Sequence, residues 1–434
     1  MNSSADPTER ITVNPRKSAV VDASQPQPAS VEVVPVQEAI IPDRGWPKIW
    51  YWIKRRFTKD AKVPKINKAQ AAEIERHEQA LRDAEAEAAR VAARRQSILR
   101  LRELSDLKPR LTVAFIGVKG AAGTTTTMVG TTSTVSDITR TLVYAGDFNP
   151  ASGSAGSRLG KDPNETMSLR EYRVMVEQID ARFESLKAQI ASATSLAIDN
   201  LDLRALVDTI DSRAEINARL RPTQYGVRVL SADDYILETT EQFGTTTVKM
   251  LDILTNNCDY LFVDTANDIT TPASRAVLQK ADVLVFTANV GIKDSLFMLY
   301  TSMEKVRQLS LGDKVANSVV VISNLPEGAK LDDYRKYLNR VKPTTDEVIQ
   351  YIEPADFHGP FMGVPHDPVI ARDGQVELEQ FADATYQAYV DIDITIFEQA
   401  LNMESIAKQA THRADSRYGV IMAQPSGRVV TSLE

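Results

Sequence analysis

The sequence predicts an α/β fold: a parallel sheet covered by helices on both faces, three layers in all, with a helical arm in front of it. Three observations lead there. Short apolar runs recur between about residues 110 and 395; stretches of helical period separate them; and polar side chains gather at the carboxyl ends of several runs. Ligands in an open parallel sheet sit beyond those ends, so residues far apart in sequence can share one site.

The elements follow in order. Residues 1–41 carry scattered Pro, Ser and Gln without helical period and read as a disordered tail. A basic aromatic segment occupies 42–60. Residues 66–107, rich in Ala, Glu, Arg and Gln without Gly or Pro after Asn67, read as a long helical arm, closed by Lys108-Pro109. Ile74, Leu81 and Ala88 recur every seven along it, with Ala84, Val91 and Ile98 as the companion row. That thin seam suits a second copy, or a solvated arm with one face on the core. The core domain, 110–402, opens with a strand at 111–117, a loop and a helix at 124–137, then a strand at 141–146. A long insertion holds helices near 167–193 and 201–219. Strands follow near 227–231, 259–264, 282–287 and 318–323, separated by helices at 241–257, 272–280 and 294–309. Gly363 to Asp367 ends a last short strand, a helix runs from about 376 to 401, and 403–434 read as a flexible tail.

Composition narrows the function. The chain has 434 residues, 25% of them charged, with a net charge of −7, which gives no general pull toward nucleic acid. One cysteine and four histidines allow no internal disulfide and no visible zinc cage. No stretch reaches the length a membrane span needs, and the first forty residues lack an apolar secretory core. A cytoplasmic setting is expected.

The run Lys119-Gly120-Ala121-Ala122-Gly123-Thr124-Thr125-Thr126, directly after the strand Leu111–Gly117, has the form of a phosphate cradle. Backbone N–H groups converge on an anion there, small residues permit close approach, and a hydroxyl can ligate magnesium. The same run can also be a plain strand-to-helix turn. Three further strand ends favour the cradle: Asp147 and Asn149 before Pro150, Asp264 before Thr265, and the lone amide Asn324.

In the basic aromatic segment, Trp46, Trp50, Ile53 and Phe57 fall on one helical stripe if Pro47 starts a helix, with Lys48, Lys54 and Arg55 elsewhere on the wheel. Such a helix can lie at a membrane interface, or pack on the protein's own domain or on a partner.

With these segments in order, the chain resembles the MinD/ParA family of deviant Walker-A proteins across about residues 110–395, and within it the actinobacterial MinD-like proteins that accompany type VII secretion. The resemblance implies a P-loop NTPase core of SIMIBI type, with ATP and Mg²⁺ as ligands and an ATP-dependent homodimer. It makes Lys119 the signature lysine that reaches across the dimer, and Gly120 to Thr126 the phosphate loop. Thr125 becomes the magnesium hydroxyl, Asp147 the first switch acid, and Asp264 the acid that holds metal-bound water. Asn324 becomes the adenine-reading amide, and Pro365 to Asp367 the loop flanking the base.

The departures matter as much. Thr124 stands where the P-loop lysine is expected, Val118 and Ala121 replace glycines, and Asn149 replaces the second switch acid. A lysine about 4 Å from a phosphate oxygen is worth on the order of 4 kcal/mol at a surface-like dielectric. An amide orients water but cannot accept its proton. The expectation is an ATP-binding switch with slow or absent hydrolysis, with Asp147, Asn149 and Lys119 nearest the chemistry and Thr125, Asp147 and Asp264 around the metal. It would act in positioning or assembly of a membrane-associated machine, at the inner face of the membrane. Two other readings stand beside it: a nucleotide-free scaffold, and a DNA-partition ATPase using Arg335, Lys336, Arg340 and Lys342. Arg158 and Arg275 are candidates for the missing charge, and His366 is read as a turn residue.

Overall fold

The computed structural model describes residues 68–117, 123–149, 154–160, 166–192, 213–232, 241–265, 268–292, 294–338, 357, 359–371 and 374–422. The tail 1–41, the leader 42–60 with Trp46, Trp50, Ile53 and Phe57, and Lys119, Gly120, Ala121 and Ala122 of the loop lie outside them. The chain divides into two compact units, Met1–Ala80 and Leu81–Glu434. Of the first, only the opening turns of one helix are described; the sheet and all its other helices belong to the second.

In chain order the elements are α1 (Lys68–Leu107), β1 (Leu111–Gly117), α2 (Thr124–Thr139), β2 (Val143–Phe148), α3 (Ala155–Arg158), β3 (Met167–Ser168), α4 (Leu169–Ser192), α5 (Arg213–Arg219), β4 (Arg228–Ser231), α6 (Glu241–Asn257), β5 (Tyr260–Thr265), α7 (Pro272–Lys280) and β6 (Val283–Asn289). Then come α8 (Ser295–Val306), a π-helical turn at Arg307–Leu311, α9 (Gly312–Ala316), β7 (Val319–Leu325), α10 (Leu331–Leu338), β8 (Phe361–Pro365), α11 (Pro368–Ala371), a 3₁₀ turn at Leu378–Gln380 and α12 (Asp383–Met422).

The strands form one eight-stranded sheet in the order β3-β4-β2-β5-β1-β6-β7-β8, with every pair parallel. Side chains alternate along a strand, so β1 sends Val113 and Phe115 to one face and Ala114 and Ile116 to the other. β5 separates Tyr260 and Phe262 from Leu261 and Val263 in the same way. Leu101 and Leu104 of α1, Met128 and Val135 of α2, and Tyr389 and Phe397 of α12 cover the first face. Tyr172 of α4, Leu251 of α6, Leu278 of α7 and Leu299 of α8 cover the second. Both faces of the strands are therefore dry, which explains why β1, β2 and β5 are buried at every residue.

Several bounds differ from those the sequence suggests. β2 starts two residues later than expected and runs through Phe148, which sets Asp147 inside the strand. β7 likewise takes in Asn324. A 3₁₀ turn replaces the expected helix start at 376, and α12 continues past 401 to Met422, because residues 402–418 contain neither Gly nor Pro to stop it. The expected tail 403–434 thus begins as helix. α10 and the two-residue edge strand β3 were not anticipated at all.

α2 is a helix despite its run of β-branched residues, because most of its hydroxyls find partners, Ser133 Oγ having none among the described residues, and its packing is tight. Thr131 Oγ1 donates to the Thr127 carbonyl (2.9 Å) and Thr139 Oγ1 to that of Val135 (2.7 Å). At Gly130 a Cβ would meet the Tyr389 ring at 2.5 Å, so the bare backbone lets α12 lie close. α1 runs parallel to α12: Arg94 pairs with Asp383, Arg100 with Glu398 and Lys108 with Glu404. These partly exposed pairs contribute little; burial of Leu101 and Leu104 and the Ser105–Tyr260 hydroxyl bond (2.7 Å) hold the helix. Toward its start Leu81 and Val91 are half exposed.

Asp393 of α12 is fully buried and bonded to the Thr134 hydroxyl; its Oδ1 has no partner among the described residues. Burial pushes this carboxyl well above its usual range. The unfolded chain then releases the proton near pH 4 while the folded chain keeps it, so stability falls as pH rises above 4, by up to about 1.4 kcal/mol per unit from this group. Asp393→Asn should remove that slope. Thermal melts of variant and parent are expected to coincide most closely near pH 4 and to diverge in the variant's favour at pH 7.5.

Candidate functional site

The carboxyl ends of β5, β6 and β7 meet the start of α2 through Thr125, Thr124 and Gly123, and Asp147, Asp264 and Asn324 stand at or near strand ends on this side, while Lys119, Gly120, Ala121 and Ala122 lie outside the described residues. In the register of β2 and β5, Asp147 lies directly beside Asp264, and Asp264 also neighbours Phe115 of β1. Both acids are 1% exposed, so neither charge is relieved by water. Thr125, in the first turn of α2, donates its hydroxyl to Asp264 Oδ2. Asp264 Oδ1 is buried and has no hydrogen-bond partner among the described residues. Burial, and then the neighbouring charge of Asp147, pushes the Asp264 carboxyl well above its usual range. Burial likewise pushes Asp147 up to about 6, against the pull of backbone donors. Two adjacent buried acids and a hydroxyl, with one oxygen unclaimed, make a place that favours a small hard cation.

Asp147 has a second task. Its Oδ1 accepts from the Asn149 N–H (3.2 Å) and its Oδ2 from the Ala155 N–H (3.1 Å), so it anchors the segment that follows β2. Asn149 is buried beside it.

The start of α2 is described from Gly123 onward. Gly123 caps α2 with φ +82° and no side-chain cap, which leaves the first N–H groups of the helix for an anion. A Cβ on Gly123 would meet Ser323 Oγ at 2.8 Å, so Gly123 abuts β7. Thr124 turns into the sheet: its hydroxyl bonds Thr287 of β6 (2.8 Å), and a Cβ on Gly117 would come within 1.9 Å of it. Thr126, two positions on, is half buried.

A polar cluster closes the other side. Asn324 donates from Nδ2 to Asn289 Oδ1 (3.2 Å), while its own Oδ1 lies 2.6 Å from His366 Nδ1. Asp367 accepts from the Val369 N–H (2.9 Å) and the Ala382 N–H (3.0 Å), fixing the loop after Pro365. His366 is therefore more than the turn residue expected of it. Thr287, Asn289 and Ser323 escape the sequence reading; the signal for Thr287 and Asn289 is the polar end of the apolar run Val283 to Asn289, a fifth strand end like the other four, and that for Ser323 is its place directly before Asn324.

Arg158 Nη2 donates to the Ile370 carbonyl (2.9 Å), tying α3 to the segment after β8. Arg275 is half buried in α7, whose start is capped by Thr271 accepting from the Ser274 N–H (3.2 Å). Arg335 stacks over the Phe361 ring, 5.4 Å from its centre; Arg340 and Lys342 lie outside the described residues. Among the described residues no three or more His, Cys, Asp or Glu side chains come together as a metal cage, and no helix is long and apolar enough to cross a membrane.

No family model matches the chain, and no curated protein does. Among solved structures it is similar to a ParA family ATPase from Chlorobium tepidum, with 13% identity, 67% of this chain and 99% of that one covered, and a TM-score of 0.39. The cell division ATPase MinD from Pyrococcus furiosus matches with 13% identity, 68% and 99% covered, and a TM-score of 0.39. Cobyrinic acid a,c-diamide synthase from Mycobacterium smegmatis, with bound ADP and magnesium, matches with 12% identity, 65% and 92% covered, and a TM-score of 0.38. At this degree of likeness, function has to be read from the strand-end geometry alone.

Proposed function

We propose that the chain is a MinD/ParA-like ATP-binding switch whose degenerate phosphate loop hydrolyses ATP slowly or not at all. The observation that carries this reading is the buried Asp147–Asp264 pair with the Thr125 hydroxyl, set where β1 feeds α2. Thr125, Asp147 and Asp264 would hold Mg²⁺, which when bound neutralises charge between the acids and the phosphate oxygens. The residues present fit that ion: Asp264 Oδ1 is a buried acceptor with no partner among the described residues, and burial, joined at Asp264 by the charge of Asp147, holds both acids above their usual range. Gly123, Thr124, Thr125 and Thr126 present backbone donors to the phosphates, with Gly120, Ala121 and Ala122 preceding them in the loop.

Turnover is where the site falls short. Thr124 spends its hydroxyl on Thr287 and carries no charge, so the transition state loses a stabilising cation unless Lys119 of a second copy supplies one. Asn149 can orient water but not deprotonate it. An ATP-bridged homodimer that persists suits a switch that positions or assembles a membrane-associated secretion or transfer machine. In this reading the leader at Trp46, Trp50, Ile53 and Phe57 makes the peripheral contact at the inner face of the membrane. Phosphate release at saturating Mg·ATP tests it. The expected rate is below about 10⁻³ s⁻¹, the range of an unassisted P-loop GTPase, and steady turnover near or above about 1 s⁻¹ would contradict it.

A further inference from the structure

The hydrogen bonds around Asn324 run in one direction, and a backbone donor fixes it. The Gly291 N–H donates to Asn289 Oδ1 (2.9 Å), so that end of the Asn289 amide must be oxygen. Asn324 Nδ2 donates to the same oxygen (3.2 Å), which sets the Asn324 carbonyl at the opposite end, against His366 Nδ1 (2.6 Å). A carbonyl only accepts, so His366 carries its proton on Nδ1. Neither amide can flip and the ring cannot change tautomer without setting like against like.

The backbone holds all three residues in place. The pairing of β7 with β8 is interrupted by a bulge between Ile322 and Leu325, and Asn324 sits in it with φ +63°, a conformation that asparagine tolerates better than most residues. Beyond the bulge the His366 N–H bonds the Leu325 carbonyl (2.9 Å), which keeps the ring beside its amide. A Cβ at Gly291 would meet Asn324 Nδ2 at 2.5 Å, so the close approach needs the glycine.

Among the described residues two of the four hydrogen-bonding positions of Asn324 are thus used, and one N–H and one oxygen lone pair remain. We infer that Asn289 and His366 are positioning residues that set Asn324 to accept adenine and refuse guanine. The N6–H and N7 of adenine offer a donor beside an acceptor, the complement of what remains on the amide; the O6 and N7 of guanine are both acceptors. This rests on the nucleotide reading of the site and adds the residues that decide the purine.

The test is a calorimetric comparison of Mg·ATP and Mg·GTP on the full-length chain as parent, His366→Phe and His366→Gln, each checked for an unchanged thermal melt. The parent should prefer ATP by about tenfold or more, the worth of one well-set hydrogen bond. His366→Phe should lose most of that preference through weaker ATP binding. His366→Gln, whose amide can still donate, should keep most of it, a rescue that a merely structural role would not show. A parent that prefers ATP and a His366→Phe variant that keeps the same preference would overturn the assignment and leave the nucleotide reading standing. A parent that binds neither nucleotide would overturn both.

Discussion

Asp264→Asn is expected to make the nucleotide-free protein more stable and to remove most of its magnesium-dependent ATP binding. The two effects have one origin. Asp264 is buried beside Asp147, has one oxygen without a partner among the described residues, and is held above its usual range by burial and by that neighbour. An acid raised in this way costs the folded state increasingly as pH rises past about 4, because the unfolded chain can ionise freely and the folded chain cannot. Asparagine keeps an oxygen for the Thr125 hydroxyl and carries no charge to bury, so the melting temperature should rise, by about 2–4 °C for each kcal/mol recovered, and more at pH 8 than at pH 5. Binding should move the other way. Removing one partner from a buried charge interaction costs about 2–5 kcal/mol, so Mg·ATP affinity should fall by about a hundredfold in a titration. A variant that is less stable and still binds would show that Asp264 serves the fold rather than a ligand.

Phe397→Ala is expected to cost the most stability of any single change considered, about 3–5 kcal/mol, read as a shift in the denaturant midpoint. Phe397 is fully buried, and its ring meets that of Tyr260 edge-on at 5.0 Å. Tyr260 in turn bonds Ser105 of α1, so one truncation loosens the junction of α12, β5 and α1. Exposed Leu99 of α1, replaced by Ala, should change the midpoint little and serves as the control.

The sheet was legible because its strands are buried on both faces: runs such as Leu111–Gly117 and Tyr260–Thr265 carry their burial in their composition. Ends were harder. Val143–Phe148 and Val319–Leu325 carry their polar site residues inside the strand, and polar side chains there read as strand termini. The α12 extension is hard to see in the sequence because the apolar period fades after Ala400 while helix propensity continues. The site was half legible. Thr125, Asp147, Asp264 and Asn324 stand at strand or helix ends with recognisable chemistry. Asn289 and His366 both bond Asn324, a relation set by the bulge in β7 that local pattern does not show. Thr124 reads in the sequence as a loss of charge; its hydroxyl turns into the sheet toward Thr287 because β6 lies beside β1, a pairing the local sequence does not encode.

The central claim is that the paired acids and the Thr125 hydroxyl form a magnesium–nucleotide site that still works. A calorimetric titration of ATP into the full-length protein, with Mg²⁺ and again with the metal chelated, tests it most directly. Micromolar binding that requires magnesium is the predicted result; no binding at millimolar ATP, or equal binding without the metal, would contradict it.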